Sequence, residues 1–238
     1  MSIRNEALRH STPAPAPGPP AKTRPRGRSD SVRPREQSRE GARPTVPERR
    51  ISNPIVSVGD VPGPLSLGLM EKRGMIVMLD STAGYLTASA QTVYGRASIA
   101  RRLVPMGGIA AECIAFWVWF AGPLPREIAV ICSSHYRSSV YGRRICVLNR
   151  IAVPDEIHHI GSLNVTSPLR TACDIACLSR SDFDRDIGMA AFIAFLQFYE
   201  IPARTCMKAL GENTRRPGFS NGVRLFDEML RGSLANLA

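Results

Sequence analysis

The stretch NVTSPLRTACDIA, residues 164–176, has the residue pattern of a strand end, a tight corner and a helix start. Apolar and polar residues alternate over Leu163–Thr166, which favours a half-buried strand. Ser167 is a residue type that caps helix N-termini, and Pro168 suits the first helical position because its missing N–H costs no hydrogen bond there. The sequence therefore predicts a strand followed directly by a helix, Pro168–Leu178.

This predicted helix carries one apolar face and one charged pair. Its apolar residues recur at helical spacing: Leu169, Ala172, Cys173 and Ala176. Arg170 and Asp174 lie four residues apart, so their side chains meet on the same helix. We expect this ion pair on the helix surface, with the opposite face against a core. The segment contains no nucleophile beside a base.

The N-terminal fifth of the chain differs in composition from the remainder. The chain has 31 Lys and Arg against 20 Asp and Glu, for a formal net charge of +11, and residues 1–50 hold 12 of these basic residues, 5 of the acidic ones and 9 of the 19 prolines. Bulky apolar side chains are too few there to offset the entropy of an ordered chain. Residues 1–50 are therefore predicted to be a disordered basic tail. Three interpretations stay open: an arm that binds phosphates, an inert solubilising tail, and upstream sequence from a misplaced start codon.

No segment predicts export or insertion into a membrane. Prolines and arginines follow Leu8 at once, whereas a secretory signal needs a continuous apolar centre. The most apolar segment, Gly107–Gly122, is shorter than the roughly 18 residues that a spanning helix needs, and Glu112 interrupts it. We therefore expect a cytoplasmic protein without membrane contact. The six cysteines lack zinc-site spacing, so no metal and no cofactor is predicted.

Residues 65–86 predict a helix followed by a β-hairpin. Leu65–Met70 form the helix, Gly74 ends it, and the turn sequence DSTAG separates the strands Ile76–Leu79 and Tyr85–Leu86. A winged helix-turn-helix ends in this way. Its two earlier helices should lie in Ile51–Gly63, but the stretch NPIVSVGDVPGP, residues 53–64, has three prolines, which oppose helix formation. Residues 51–92 are therefore predicted to be a partial, degenerate winged-helix-like segment, with a helix–hairpin cap on the main domain as the alternative.

From residue 93 onward the pattern predicts helices, then clustered strands, then helices. The predicted helices are Ala97–Leu103, Gly108–Phe120, Pro168–Leu178, Asp182–Tyr199, Ala203–Leu210 and a final amphipathic piece, Asn221–Leu230; the predicted strands are Glu127–Ser133, Arg144–Ile151, Ile157–Ile160 and Leu163–Thr166. This order favours an α+β fold with a largely antiparallel sheet. We place the main domain at residues 93–211 and a C-terminal amphipathic tail at residues 212–238.

The order of these pieces resembles the actinobacterial AbiEi-like antitoxins of type IV toxin–antitoxin systems. The matching stretches are LMEKRGMIVMLDSTAGYL at 69–86, GGIAAECIAFWVWFAGPLP at 107–125, EIAVICSSHYRSSVYGRRICVLNRIAVPDEIHHIG at 127–161 and NVTSPLRTACDIACLS at 164–179. The last is the most specific, because relatives end their strand region with a comparable T-S-P-x-R-T-x-x-D-x-A. The signature positions here are Thr166, Ser167, Pro168, Arg170, Thr171 and Asp174. The resemblance covers about residues 65–210.

This resemblance implies a protein that is not an enzyme. Family members bind operator DNA through an N-terminal winged helix, and their following α/β domain counters a nucleotidyltransferase-like toxin. An alternative is the DNA-binding accessory portion of a Vsr-like (very-short-patch-repair) endonuclease protein. Many such relatives continue into a nuclease domain where this chain stops, at Ala238, so no nuclease activity is expected. The signature residues are expected to be structural.

Candidate contacts follow from exposed charge and from excess apolar surface. We predict DNA contacts at Lys72, Arg73, Arg101 and Arg102, because paired basic residues bind phosphates. The helix around FIAFLQFYEIP, residues 192–202, is apolar on more than one face. It is either central in the core or presents Phe192, Phe195 and Tyr199 to a protein partner.

One acidic run has the residue types of a metal-binding carboxylate cluster. Asp182, Asp184 and Asp186 alternate along the chain, but residues two apart on a helix do not face each other. Ser181 with Asp184 three residues later is close to a capping box, so we interpret these acids as a helix start. No catalytic residue is predicted.

Overall fold

The computed structural model describes residues 53–133 and 139–232, and these confirm the α+β class. The strands are β1 (Ile55–Ser57), β2 (Ile76–Met78), β3 (Ala83–Leu86), β4 (Ile109–Ala110), β5 (Glu127–Ile131), β6 (Ser139–Val140), β7 (Arg143–Leu148), β8 (Ile157–Ile160) and β9 (Leu163–Thr166). The helices are α1 (Pro64–Lys72), α2 (Val93–Leu103), α3 (Glu112–Phe120), α4 (Pro168–Ala176), α5 (Arg180–Asp186), α6 (Met189–Phe198), α7 (Ala203–Gly211) and α8 (Phe219–Leu230). The predicted tail at residues 1–50 lies outside the described residues.

A small antiparallel sheet contains the hairpin that the sequence predicts after α1. Its strand order is β1-β3-β2, with α1 immediately before the hairpin of β2 and β3. Asp80 closes the hairpin turn, since its Oδ1 accepts from the backbone N–H of Thr82 at 2.7 Å and of Ala83 at 3.0 Å. Where two further helices would have completed a winged helix, the chain forms the strand β1, because prolines oppose helix there and Ile55 and Val56 favour a strand.

The larger sheet is mixed, whereas the sequence predicted a largely antiparallel sheet. Its order is β6-β7-β5-β4-β9-β8, and two of its pairings, β5 with β7 and β4 with β9, are parallel. Four consecutive residues of β5, Ile128–Ile131, are buried, so this strand is covered on both faces. A continuous apolar run of this kind does not reveal the direction of its neighbours.

The predicted helix at Gly108–Phe120 begins later than expected. Ile109 and Ala110 form β4 at the centre of the sheet, and the chain turns into α3 at Glu112, whose φ of +50° lies in the left-handed region. The predicted helix Asp182–Tyr199 is likewise two helices, α5 and α6, separated at Gly188 with a φ of +77°. Glycine adopts this conformation without steric cost, and it redirects the chain.

One core joins the small sheet, the larger sheet and the C-terminal helices. The ring of Tyr85 on β3 meets the ring of Trp117 on α3 at 5.8 Å between centroids. Phe226 on α8 is fully buried in the same core, where α8 packs against α4 and α7. The described part of the predicted C-terminal tail, residues 212–232, therefore packs into this core. Within the described part of the chain, no helix is long and apolar enough to cross a membrane.

Candidate nucleic-acid interface

Helix α2 is held firmly in place by its cap and by one buried arginine. Thr92 caps the helix, since its Oγ1 accepts from the N–H of Gly95 at 3.0 Å. The buried guanidinium of Arg96 donates to the carbonyls of Val118 at 2.9 Å and Trp119 at 3.2 Å, at the end of α3. A side chain at Gly95 would collide with the carbonyl of Ser89, because an added Cβ would lie 1.7 Å from that oxygen. The position of α2 is therefore fixed by the protein interior.

A cleft of about 670 Å³ lies between α2 and the turn that joins β8 to β9. Its polar lining consists of Tyr94, Ser98, Arg101, Arg102 and Ser162. The cleft is basic, since two guanidinium groups line it and none of its described lining residues is acidic. A concave basic site of this size attracts an anionic ligand.

The residues on the α2 wall form one stripe along the helix. Tyr94, Ser98 and Arg101 are spaced four and three residues apart, which places them on one face. Arg101 donates from Nη1 to the carbonyl of Val104 at 3.2 Å, so its guanidinium is oriented at the C-terminal end of the stripe. Tyr94 at the other end is 72% exposed. The stripe therefore offers an aromatic ring, a hydroxyl and positive charge in succession.

The opposite wall is the tight turn between β8 and β9. Ile160 pairs with Leu163 across this turn, and Gly161 has a φ of +59°. Glycine is the preferred residue at such a position in a two-residue hairpin turn. Gly161 and Ser162 are both exposed, so backbone groups and a hydroxyl border the cleft.

The structure brings together two of the four predicted DNA contacts. Arg101 and Arg102 both line the cleft. Lys72 and Arg73 are exposed at the C-terminal end of α1 and are not among the residues that line it. The pairing of Arg101 and Arg102 was visible in the sequence, whereas Tyr94 and Ser162 were missed. Their proximity depends on the β8–β9 turn, which is remote in sequence from α2.

The signature residues hold β9 and α4 together. Ser167 caps α4 as predicted, since its Oγ accepts from the N–H of Arg170 at 3.2 Å. The hydroxyls of Thr166 and Thr171 share a buried hydrogen bond of 2.8 Å. Pro168 occupies the first turn of the helix, also as predicted. These contacts are structural, and none of these residues lines the basic cleft.

The expectation of a surface Arg170–Asp174 pair is wrong, because both side chains are buried. The Asp174 carboxylate forms ion pairs with three arginines. Its oxygens lie 3.1 Å from Arg170 Nε and 3.3 Å from both Arg150 Nη1 and Arg216 Nη1. Burial raises the pKa of the Asp174 carboxyl, and the three guanidinium groups oppose that rise. The cluster joins α4 to residues that precede β8 and α8.

Two glutamates complete this cluster. Glu112 accepts from Arg150 at 3.0 Å, and Glu156 contacts Arg170. Burial raises the pKa of Glu112, an effect that Arg150 opposes. These partners of Arg170 and Asp174 were not predicted from the sequence. One signal was available, since Arg170 and Asp174 are the only charged residues in the nine-residue helix α4.

The predicted partner residues divide between core and edge. Phe192 and Phe195 are fully buried, so the core interpretation of this helix holds for both and they are not available to a partner. Tyr199 is half-buried and donates its hydroxyl to the carbonyl of Trp119 at 2.9 Å. Phe198, which lies in the same apolar segment, is 69% exposed.

The described residues include thiols whose pKa is raised, and they include no candidate cation cage. Burial raises the pKa of Cys113 to about 12 and that of Cys177 to about 11, so both are neutral near pH 7. No group of three or more His, Cys, Asp or Glu residues within the described ranges is arranged to hold a metal ion. Of the acidic run, only Asp182 lies in the first turn of α5, whereas Asp186 is the last residue of that helix. The cap is Ser179 and its partner is Asp182, two residues before the predicted pair.

A scan of known protein-family models found no match to this chain, nor did a search of curated proteins. The resemblance to AbiEi-like antitoxins therefore stays a prediction from the sequence.

Proposed function

We propose that this protein is a non-enzymatic regulator of the antitoxin type that binds nucleic acid, and that the α2 cleft makes the contact. The observation that carries this proposal is the pair Arg101 and Arg102 in an open cleft without a described acidic lining residue. Guanidinium groups donate in a fork that matches phosphate oxygens. Release of counterions from the phosphates adds a favourable, salt-dependent contribution.

The exposed face of α1 supports assigning the contact to α2. In a winged helix, the helix before the hairpin reads the bases. Here that helix presents Leu65, 91% exposed, and Leu69, 52% exposed. Leucine has neither donor nor acceptor, so it cannot make the hydrogen bonds that distinguish most base edges. Lys72 and Arg73 then serve as auxiliary phosphate contacts in this proposal.

The toxin partner in this proposal rests on the resemblance of residues 65–210 to antitoxins. The proposed partner is a nucleotidyltransferase-like toxin encoded beside this gene. Relief of that protein's growth arrest by co-expression of this chain is the test.

Replacing both cleft arginines tests the nucleic-acid contact. We expect the double variant Arg101→Gln/Arg102→Gln to lose at least tenfold in affinity, because a hydrogen bond to a charged group contributes roughly 1.5–3 kcal/mol. The slope of log affinity against log salt should become shallower by about 1.4–1.8, because two phosphate contacts are removed. Fluorescence anisotropy with labelled DNA and RNA measures both quantities.

The matched control is Arg204→Gln/Lys208→Gln, which removes two exposed charges from α7 outside the cleft. Equal losses in the two double variants would show attraction by overall charge and would contradict the assignment to the cleft.

A further inference from the structure

We infer that the α2 cleft binds single-stranded nucleic acid, with an unpaired base stacked on Tyr94. This inference rests on the proposed function and adds the form of the ligand. It follows from three features of the cleft: the placement of one exposed ring, its distance from the arginines and the concave shape of the site.

Tyr94 is placed for contact with a ligand. It is the most exposed tyrosine in the described ranges, at 72%, and its ring is absent from the aromatic contacts that bind Tyr85 and Tyr199 into the core. A single exposed tyrosine is ordinary on a protein surface. This one shares the helix stripe of Ser98 and Arg101 and lines the same cleft. A flat aromatic ring beside guanidinium groups is the combination that binds unpaired bases and their phosphates.

The spacing along α2 suits a short length of strand. Tyr94 and Arg101 are seven residues apart, which on a helix corresponds to about 10–11 Å along the axis. In a stacked strand, successive nucleotides rise about 3.4 Å, so this length spans roughly three nucleotides. If one base stacks on Tyr94, the phosphates of about the next two or three nucleotides lie near Arg101 and Arg102.

The shape of the cleft disfavours a duplex. Bases in a duplex are stacked on each other and present only their edges, so a tyrosine ring has no base face to contact. Reading a duplex from outside requires an element that protrudes into a groove. The stripe on α2 is instead recessed against the β8–β9 turn. Arg96 and the close packing at Gly95 hold α2 in this recessed position.

Binding of one oligonucleotide in single-stranded and duplex form tests this inference. The probe is labelled oligothymidine of about 12 nucleotides, within the usual site sizes of single-strand binders, alone or annealed to oligodeoxyadenosine. We expect the full chain to bind the single strand more tightly. Tyr94→Ala should weaken single-strand binding by roughly 5- to 150-fold, the effect of losing one base–aromatic contact. Duplex binding should be unchanged by this variant.

Two further variants separate stacking from loss of structure. Tyr94→Phe keeps the ring and should bind nearly as the parent does, and Tyr94→Trp should bind at least as tightly. The introduced indole also gives a direct signal, since its fluorescence should be quenched by the single strand and not by the duplex. Trp117 and Trp119 are buried, and the parent protein supplies their background. Unchanged thermal midpoints confirm folding.

The possible failures are distinguishable. If the parent chain binds neither form, the proposed function is wrong. If binding depends on Arg101 and Arg102 but is equal or tighter for the duplex, or is unaffected by Tyr94→Ala, the proposed function stands and the single-strand inference is overturned. Equally strong binding of thymidine monophosphate would also overturn it, because the ligand would then be a mononucleotide.

Discussion

At the scale of residues, two arginine–aspartate pairs with the same sequence spacing differ in burial and therefore in their expected contribution to stability. Arg170–Asp174 and Arg180–Asp184 are both four residues apart on a helix. The first pair is almost completely buried, while the side chains of the second are 61% and 49% exposed. Water screens the exposed pair, whereas the buried carboxylate depends on its three arginines for the interactions that water would otherwise supply.

Replacing each aspartate by asparagine measures this difference. We expect Asp174→Asn to lower the free energy of unfolding by about 3–5 kcal/mol, because it leaves buried arginines without their central partner. Asp184→Asn should change it by less than about 0.5 kcal/mol. Urea unfolding followed by circular dichroism is the measurement. Similar values for the two variants would contradict a stabilising role for the buried cluster.

At the scale of elements, α6 combines a buried and an exposed phenylalanine. The ring of Phe192 lies between Phe183 and Phe226, at 5.5 and 6.1 Å between centroids, whereas Phe198 is largely in water. We expect Phe192→Ala to destabilise the fold by about 3–5 kcal/mol and Phe198→Ala by less than about 0.5 kcal/mol. Thermal unfolding of the two variants compares them directly. A mild effect at Phe192 would show that α6 is not central to the core.

The elements that the sequence predicted well are those with local chemistry. The strands β8 and β9 and the Ser167 cap have the predicted bounds because alternation, turn and cap act over a few residues. The two parallel pairings and the start of α3 at Glu112 depend on contacts with distant segments, so local patterns did not reveal them.

The candidate site was predictable in part for the same reason. Arg101 and Arg102 are adjacent in the chain and stood out as a charged pair. The burial of Arg216 and Asp174 arises from the packing of α4, which no spacing in the sequence shows. Tyr94 lines the cleft together with the opposing turn at Gly161, and its proposed role depends on that turn, which is remote in sequence.

At the scale of the whole molecule, charge is unevenly divided. Residues 1–50 carry 12 basic and 5 acidic residues, while the remaining 188 residues carry 19 and 15. Residues 51–238 are therefore only weakly basic. Attraction of nucleic acid from a distance is consequently expected to come mainly from the N-terminal segment, and positioning from the cleft.

Deleting residues 1–48 tests this division of roles. We expect weaker overall affinity and a shallower dependence of affinity on salt, because up to ten basic residues are lost. The preference for a single strand over a duplex, and its sensitivity to Tyr94→Ala, should be retained. Salt titrations followed by fluorescence anisotropy, on the full chain and on the shortened one, measure the affinity and its salt dependence. An unchanged slope after deletion would remove the N-terminal segment from the interface.

The parallel pairing of β4 with β9 has a consequence for synthesis on the ribosome. Ile109 pairs with Asn164, so about 55 residues must be added after β4 before its second neighbour exists. At roughly 5–20 residues per second, this interval lasts about 3–11 s. During that time one edge of the central strand has unpaired backbone groups that can pair with the wrong strand. The small sheet, with its local hairpin, is complete before this delay begins.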